Sequence, residues 1–146
     1  MSHLRMTEEQ FAARQKRLAT PAPKSRKRDL ELVTRAVERE AREKWERMLL
    51  SHIVAAQLPE PQLQFRFSTK RQFRLDFAWA DQTLGVEVEG GIWRKGGGAH
   101  SHPSNIERDI EKHNLMAMEG WALIRVTPKM IQSGEALQLI EAYLKR

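Results

Sequence analysis

The chain has no cysteine at all, so disulfides and cysteine-ligated zinc are both excluded. It has no apolar run long enough to span a membrane, and no signal-peptide pattern is visible. Acidic residues are outnumbered: 25 Lys and Arg stand against 19 Asp and Glu, a formal net charge of +6. With a pI near 10.0, an anionic partner is expected. The 146 residues suffice for one modest core. No internal repeat is evident, and a soluble intracellular protein is the expectation.

Residues 1–28 read as a basic N-terminal extension, and 29–146 as the folded domain. "TEEQFAARQKRLA" can form a short helix. "TPAPKSRKR" then carries two prolines and the cluster Lys24, Arg26, Lys27 and Arg28, a solvated tail or a source of phosphate contacts. From Asp29, a plausible N-cap, to about Ala56 the pattern is helical, with Trp45, Leu49, Ile53 and Ala56 in one stripe. "LPEP" ends it. Glu46 lies beside that stripe, where a carboxylate needs a partner unless it reaches solvent.

Three alternating segments follow, "LQFRFS", "QFRLDFAW" and "TLGVEVEG", joined by "TKR" and "ADQ". They read as an antiparallel meander. "GIWRKGGGAHSHP" is a Gly-rich loop. "SNIERDIEKHNLMAMEG" is a helix with Ser104 and Glu107 as a capping box and Gly120 as its stop. "WALIRV" is a fourth strand, Thr127-Pro128 opens a short helix, and "GEALQLIEAYLKR" makes a last one. The order αβββαβ, with helix beyond it, implies an α/β fold with a mixed four-stranded sheet flanked by helices.

The second and third strands carry carboxylates. Alternation puts Phe73, Leu75, Phe77 and Trp79 on one face and Arg74, Asp76 and Ala78 on the other. In the next strand Gly85, Glu87 and Glu89 share a face. A hairpin symmetric about Asp81 and Gln82 pairs residues whose numbers sum to 163, so Asp76 meets Glu87 and Arg74 meets Glu89. Like charges about 5 Å apart are destabilising. Either water separates them on a solvated face, or a cation such as Mg²⁺ lies between them. Arg74 can satisfy Glu89 as an ion pair.

Asp76 followed by Glu87-Val88-Glu89 on the next strand, and then by a helix, resembles the PD-(D/E)XK nuclease superfamily. "QLPEP", "FRLDFAW", "GVEVEGG", His100, "RDIEK" and "GWALIRVTP" are together similar to the small endonucleases related to the very-short-patch repair enzymes, a group with many phage and bacterial members. The resemblance covers residues 43 to about 128. It implies a restriction-endonuclease-like core, Mg²⁺ with Mn²⁺ as a substitute, DNA as substrate, and the cytoplasm of a bacterium or phage-infected host. It makes Asp76 and Glu87 metal ligands, Val88 a carbonyl donor, Glu46 the acidic residue of the first helix, and His100 the loop histidine. Glu89 stands where many members have lysine. Lys112, in "D-x-x-K" from Asp109, is the substitute cation, or else Glu89 is itself a ligand or base; Lys112 as a solvent-facing helix lysine is the plain alternative. His100, Arg94 and Lys95 would meet the phosphate, with Arg74 and the N-terminal cluster on the DNA. Arg125 can instead be structural, paired with a carboxylate. A homodimer would suit a double-strand cutter.

"HSHPSNIERDIEKHN" invites an HNH reading, but one helix carries both Asn105 and His113. His100 and His102 lack a third zinc ligand at suitable spacing. His113 lies near Ile106, Ile110 and Ala117 and is expected to pack with them. The leading expectation is a Mg²⁺-dependent DNA endonuclease. Its rivals are a non-catalytic DNA-binding protein of the same fold and an adaptor for an acidic protein.

Overall fold

The structure, a computed structural model, describes Glu9, residues 24–90 and residues 103–146, with side chains from residue 27 onward in the second stretch. The chain divides into two compact units, Met1–Ala36 and Val37–Arg146. Everything below concerns the second unit unless stated. The elements are α1 (Lys24–Ala55), β1 (Gln62–Arg66), β2 (Arg74–Trp79), a 3₁₀ turn (Ala80–Gln82), β3 (Leu84–Val88), α2 (Pro103–Met118), β4 (Ala122–Val126), α3 (Pro128–Ser133) and α4 (Glu135–Leu144).

The sheet has the order β1-β2-β3-β4. The first three strands form an antiparallel meander, and β4 lies parallel to β3, across the connection that contains α2. The mixed four-stranded sheet with flanking helices is therefore as expected. The hairpin register is also as expected: Phe77 pairs with Val86, Ala78 with Gly85 and Trp79 with Leu84.

One face of the sheet presents Phe77, Trp79, Leu84, Val86, Val88 and Val126 to Leu49 and Ile53 of α1, Ile131 of α3 and Ile140 of α4. Leu49, Ile53, Leu84, Val86, Val126, Ile131 and Ile140 have no exposed surface. The Trp45–Leu49–Ile53 stripe of α1 is thus the core side of that helix. The other face gathers Phe67, Phe73, Leu75 and Ala78 around Met116 of α2. Here Gly85 has a role: a Cβ on it would lie 2.6 Å from Leu75 Cδ1 and 3.0 Å from Cδ2. The missing side chain lets Leu75 lie across β3.

Several local expectations need correction. Phe73 and Leu75 do not share a face with Phe77 and Trp79; they pack with Ala78 on the α2 side. The alternation breaks at Asp76. The helix α1 begins at Lys24, directly after Pro23, so the basic cluster forms its first turn instead of a tail ahead of Asp29. No acidic residue lies in that turn, so its start does not exploit the helix dipole. The strand β1 stops at Arg66, and its connection to β2 is longer than "TKR"; the Arg66 guanidinium holds that loop by donating to the Ser68 and Arg71 carbonyls. The helix α2 starts at Pro103, inside which Ser104 is no longer the cap. Its other end is as expected: Gly120 has φ +75, and the amides of Gly120 and Trp121 return to the carbonyls of Ala117 and Met116. Ile106 and Ile110 are about half exposed, so they do not form the inner side of α2. His113 is partly buried instead beside Asp109, at 3.9 Å.

Candidate active site

The site forms where β2 and β3 part. The paired ladder ends at Phe77 and Val86, one step short of Asp76 and Glu87, so the expected pairing of those two is not made. The amide of Glu89 donates to the Val126 carbonyl of β4 at 2.8 Å, so alternation along β3 turns the Val88 amide toward β2. There it donates to the Asp76 carboxylate, Oδ2, at 2.9 Å. On the other side the Gln64 side-chain amide donates to Asp76 Oδ1 at 3.2 Å. The carboxylate is held from both neighbouring strands.

Lys112 comes to the same place from α2. Its ammonium donates to Glu87 Oε1 and, at 2.6 Å, to the Arg74 carbonyl. Both the Lys112 and Glu87 side chains are only 13 % exposed. Burial, against the pull of the Asp76 carboxylate and with the help of Arg42 and Arg125, lowers the Lys112 pKa to about 8. The positive charge that the facing carboxylates demanded is therefore supplied at Glu87 by this lysine, which is not a solvent-facing helix residue.

Glu89 is paired differently from expectation. Its partner is Arg125 of β4, with Nη2 at 2.5 Å and Nε at 2.7 Å, and not Arg74. The cause is register: Glu87 pairs with Arg125 in the parallel ladder, so Arg125 lies on the face of Glu87 and Glu89, whereas β2 has diverged before Arg74 could reach across. Arg125 also approaches Asp109 at 3.6 Å. Arg125 is structural in the sense expected of it.

Two cavities adjoin the parted strands. One of about 470 Å³ is lined by Arg74, Glu87, Glu89, Arg108, Asp109 and Lys112, among others. The second, of about 180 Å³, is lined by Glu46, Leu50, Gln64 and Asp76 among others. Glu46 is partly buried and has Arg42 at 3.3 Å. Burial, and then the nearby Asp76 charge, raise its pKa in spite of Arg42. Arg108 and Arg71 both lie over the Phe73 ring, at 5.3 and 5.6 Å from its centre. Arg74 is exposed.

Among the described residues no group of three or more His, Asp or Glu side chains is drawn together to hold a metal. The donors present are nevertheless hard oxygens. Mg²⁺ takes one or two carboxylates and keeps waters for its other positions. Asp76 and Glu87 are carboxylates of that kind on adjacent strands. Glu46 adds a carboxylate whose proton affinity is raised first by burial and then by the Asp76 charge. This set fits a hard divalent cation and would not suit a soft one.

The structure brings Asp76, Glu87, Glu89, Lys112 and Glu46 into one region, with Arg74 at the rim. Arg94, Lys95 and His100 lie outside the described residues, as do His102 and the side chains of Lys24 and Arg26. Lys27 and Arg28 are exposed on the part of α1 in the first unit. The sequence reading missed Gln64, Arg42 and Arg108. For Gln64 a signal existed: a hairpin symmetric about Lys70 sets residue 64 opposite 76. Comparison of the chain with protein-family models, curated proteins and solved structures finds no match.

Proposed function

We propose that the protein is a metal-dependent endonuclease that hydrolyses DNA phosphodiester bonds, with a PD-(D/E)XK-type site on a restriction-endonuclease-like core. One observation carries the reading: Lys112 is delivered by α2 onto Glu87, beside Asp76, where β2 and β3 part. A mostly buried amine of lowered pKa, set against a carboxylate where two strands part, is the kind of group that functional sites gather.

Each residue then has a task. Asp76 and Glu87, with Glu46 at the far side of Asp76, would hold Mg²⁺ or Mn²⁺. The bound cation would supply charge neutralisation at the phosphate and a more acidic water. Lys112 orients the attacking water and, in its neutral form, accepts its proton. Arg74 and Arg108 meet phosphate oxygens at the rim of the larger cavity. Arg125 holds Glu89, which keeps the β3–β4 edge fixed under Lys112.

The test is cleavage of supercoiled plasmid with Mg²⁺ or Mn²⁺ against EDTA, for the wild type and for Asp76→Asn. Metal-dependent cutting that the variant loses supports the reading. Salt-sensitive DNA binding with no cutting under any divalent metal would replace it with a non-catalytic DNA-binding protein. No DNA binding at all would favour the adaptor.

A further inference from the structure

Three non-glycine residues among those described have a left-handed backbone: Gln57, Gln64 and Thr83. Gln57 ends α1 and Thr83 ends the 3₁₀ turn, where a chain reversal accounts for the conformation. Gln64, with φ +48, is different because it lies inside a strand. Its neighbours are regularly paired, Leu63 with Phe77 and Phe65 with Leu75. The ladder omits one pair, Gln64 with Asp76, and resumes in the same register. No turn and no inserted residue explains the conformation, which is strained in a residue with a side chain.

At the omitted pair the side chains meet instead of the backbones. Gln64 Nε2 donates to Asp76 Oδ1 at 3.2 Å while the Val88 amide holds Oδ2. At the same point β2 changes the face to which it sends its side chains, from Leu75 on the α2 side to Phe77 on the α1 side. The distortion of β1 thus coincides with the turning of Asp76.

We infer that Gln64 is a positioning residue: its left-handed backbone and its amide fix the Asp76 carboxylate so that it meets a hard divalent cation already oriented. The cation rests on the nuclease reading; the orientation of Asp76 does not. Toward Asp76 the Gln64 side chain presents its amide nitrogen, as a donor.

The experiment uses the full chain, with Gln64→Gly and Gln64→Leu. Glycine accepts the backbone conformation without strain, whereas leucine keeps the strain and the bulk; neither has the amide. Exchange of the Val88 amide is followed by NMR in EDTA, and Mn²⁺ binding by calorimetry. A carboxylate freed on one side releases the Val88 amide, so its exchange speeds roughly tenfold or more in both variants, with Gln64→Gly melting no lower than wild type. Mn²⁺ affinity falls roughly 10–100-fold, as it does when a partner of a ligating side chain is lost. Unchanged Val88 exchange in either variant overturns the positioning role, and so does unchanged Mn²⁺ affinity where the wild type binds. Wild type that binds no Mn²⁺ sinks the metal reading and the part of the inference that depends on it, while the exchange rates still decide the orientation of Asp76.

Discussion

Lys112 and Glu87 join α2 to the sheet where the pairing of β2 with β3 ends. The ammonium sits on the carboxylate and on the Arg74 carbonyl, so a single side chain touches β2 and β3 together. Lys112→Met keeps much of the volume and removes the amine. Turnover should fall by about 10²–10⁴-fold, the usual worth of a positioned acid–base group. DNA affinity should barely move. Single-turnover cleavage beside equilibrium binding separates the two.

The same lysine imposes a pH dependence on the metal-free protein. Its pKa is about 8 in the fold against 10.5 in its absence. Between those values the unfolded chain holds a proton that the folded one has released. Stability from this group therefore rises as pH increases from about 8 toward 10.5, and is lowest below about 8. Melting curves in EDTA across that range should show the rise in wild type relative to Lys112→Met, in which it should be absent.

Arg125→Ala would remove the guanidinium from Glu89, whose side chain is only 9 % exposed. Breaking a buried ion pair costs about 3–5 kcal/mol. Arg125 is 38 % exposed, so water softens the loss and about 1–2 kcal/mol is expected. Urea denaturation measures it. Arg125→Ala with Glu89→Gln should recover part of the loss, because the carboxylate that lost this guanidinium is then neutral.

DNA binding should weaken steeply with salt, by about 0.9 in log K per log salt for each phosphate neutralised. Lys24, Arg26, Lys27 and Arg28 are all in the first turns of a helix, so replacing the four with alanine preserves helix propensity. If the cluster touches DNA, the slope should become shallower by roughly one to three. An identical slope would keep this end of α1 off the duplex.

Much of the architecture was legible because hydrophobic spacing and turn residues act locally. The Asp81–Gln82 turn set the register of β2 and β3 from Trp79–Leu84 to Phe77–Val86, but the pairing stops one step before Asp76 and Glu87. What failed was the assumption of unbroken alternation. Gln64 has no sequence mark of a left-handed backbone, so the reversal at Asp76, and with it the positions of Phe73 and Leu75, could not be anticipated. The Glu89 partner was misjudged for a related reason: the hairpin rule extends indefinitely on paper, while the real strands part before Arg74. The basic cluster was read as tail because two prolines preceded it, but the helix already includes Lys24.

Leu75 lying across Gly85 has an evolutionary consequence. The two positions are coupled. A methyl group at 85 would collide with Leu75, and overpacking of this kind typically costs about 1–3 kcal/mol. A smaller side chain at 75 would open a hole above the glycine. Alanine at 85 together with valine at 75 exchanges one volume for the other, so the double change should cost less than its two parts added. Descendants of this chain should inherit the two residues as a unit, and chains that have lost the glycine should carry a trimmed residue where Leu75 stands.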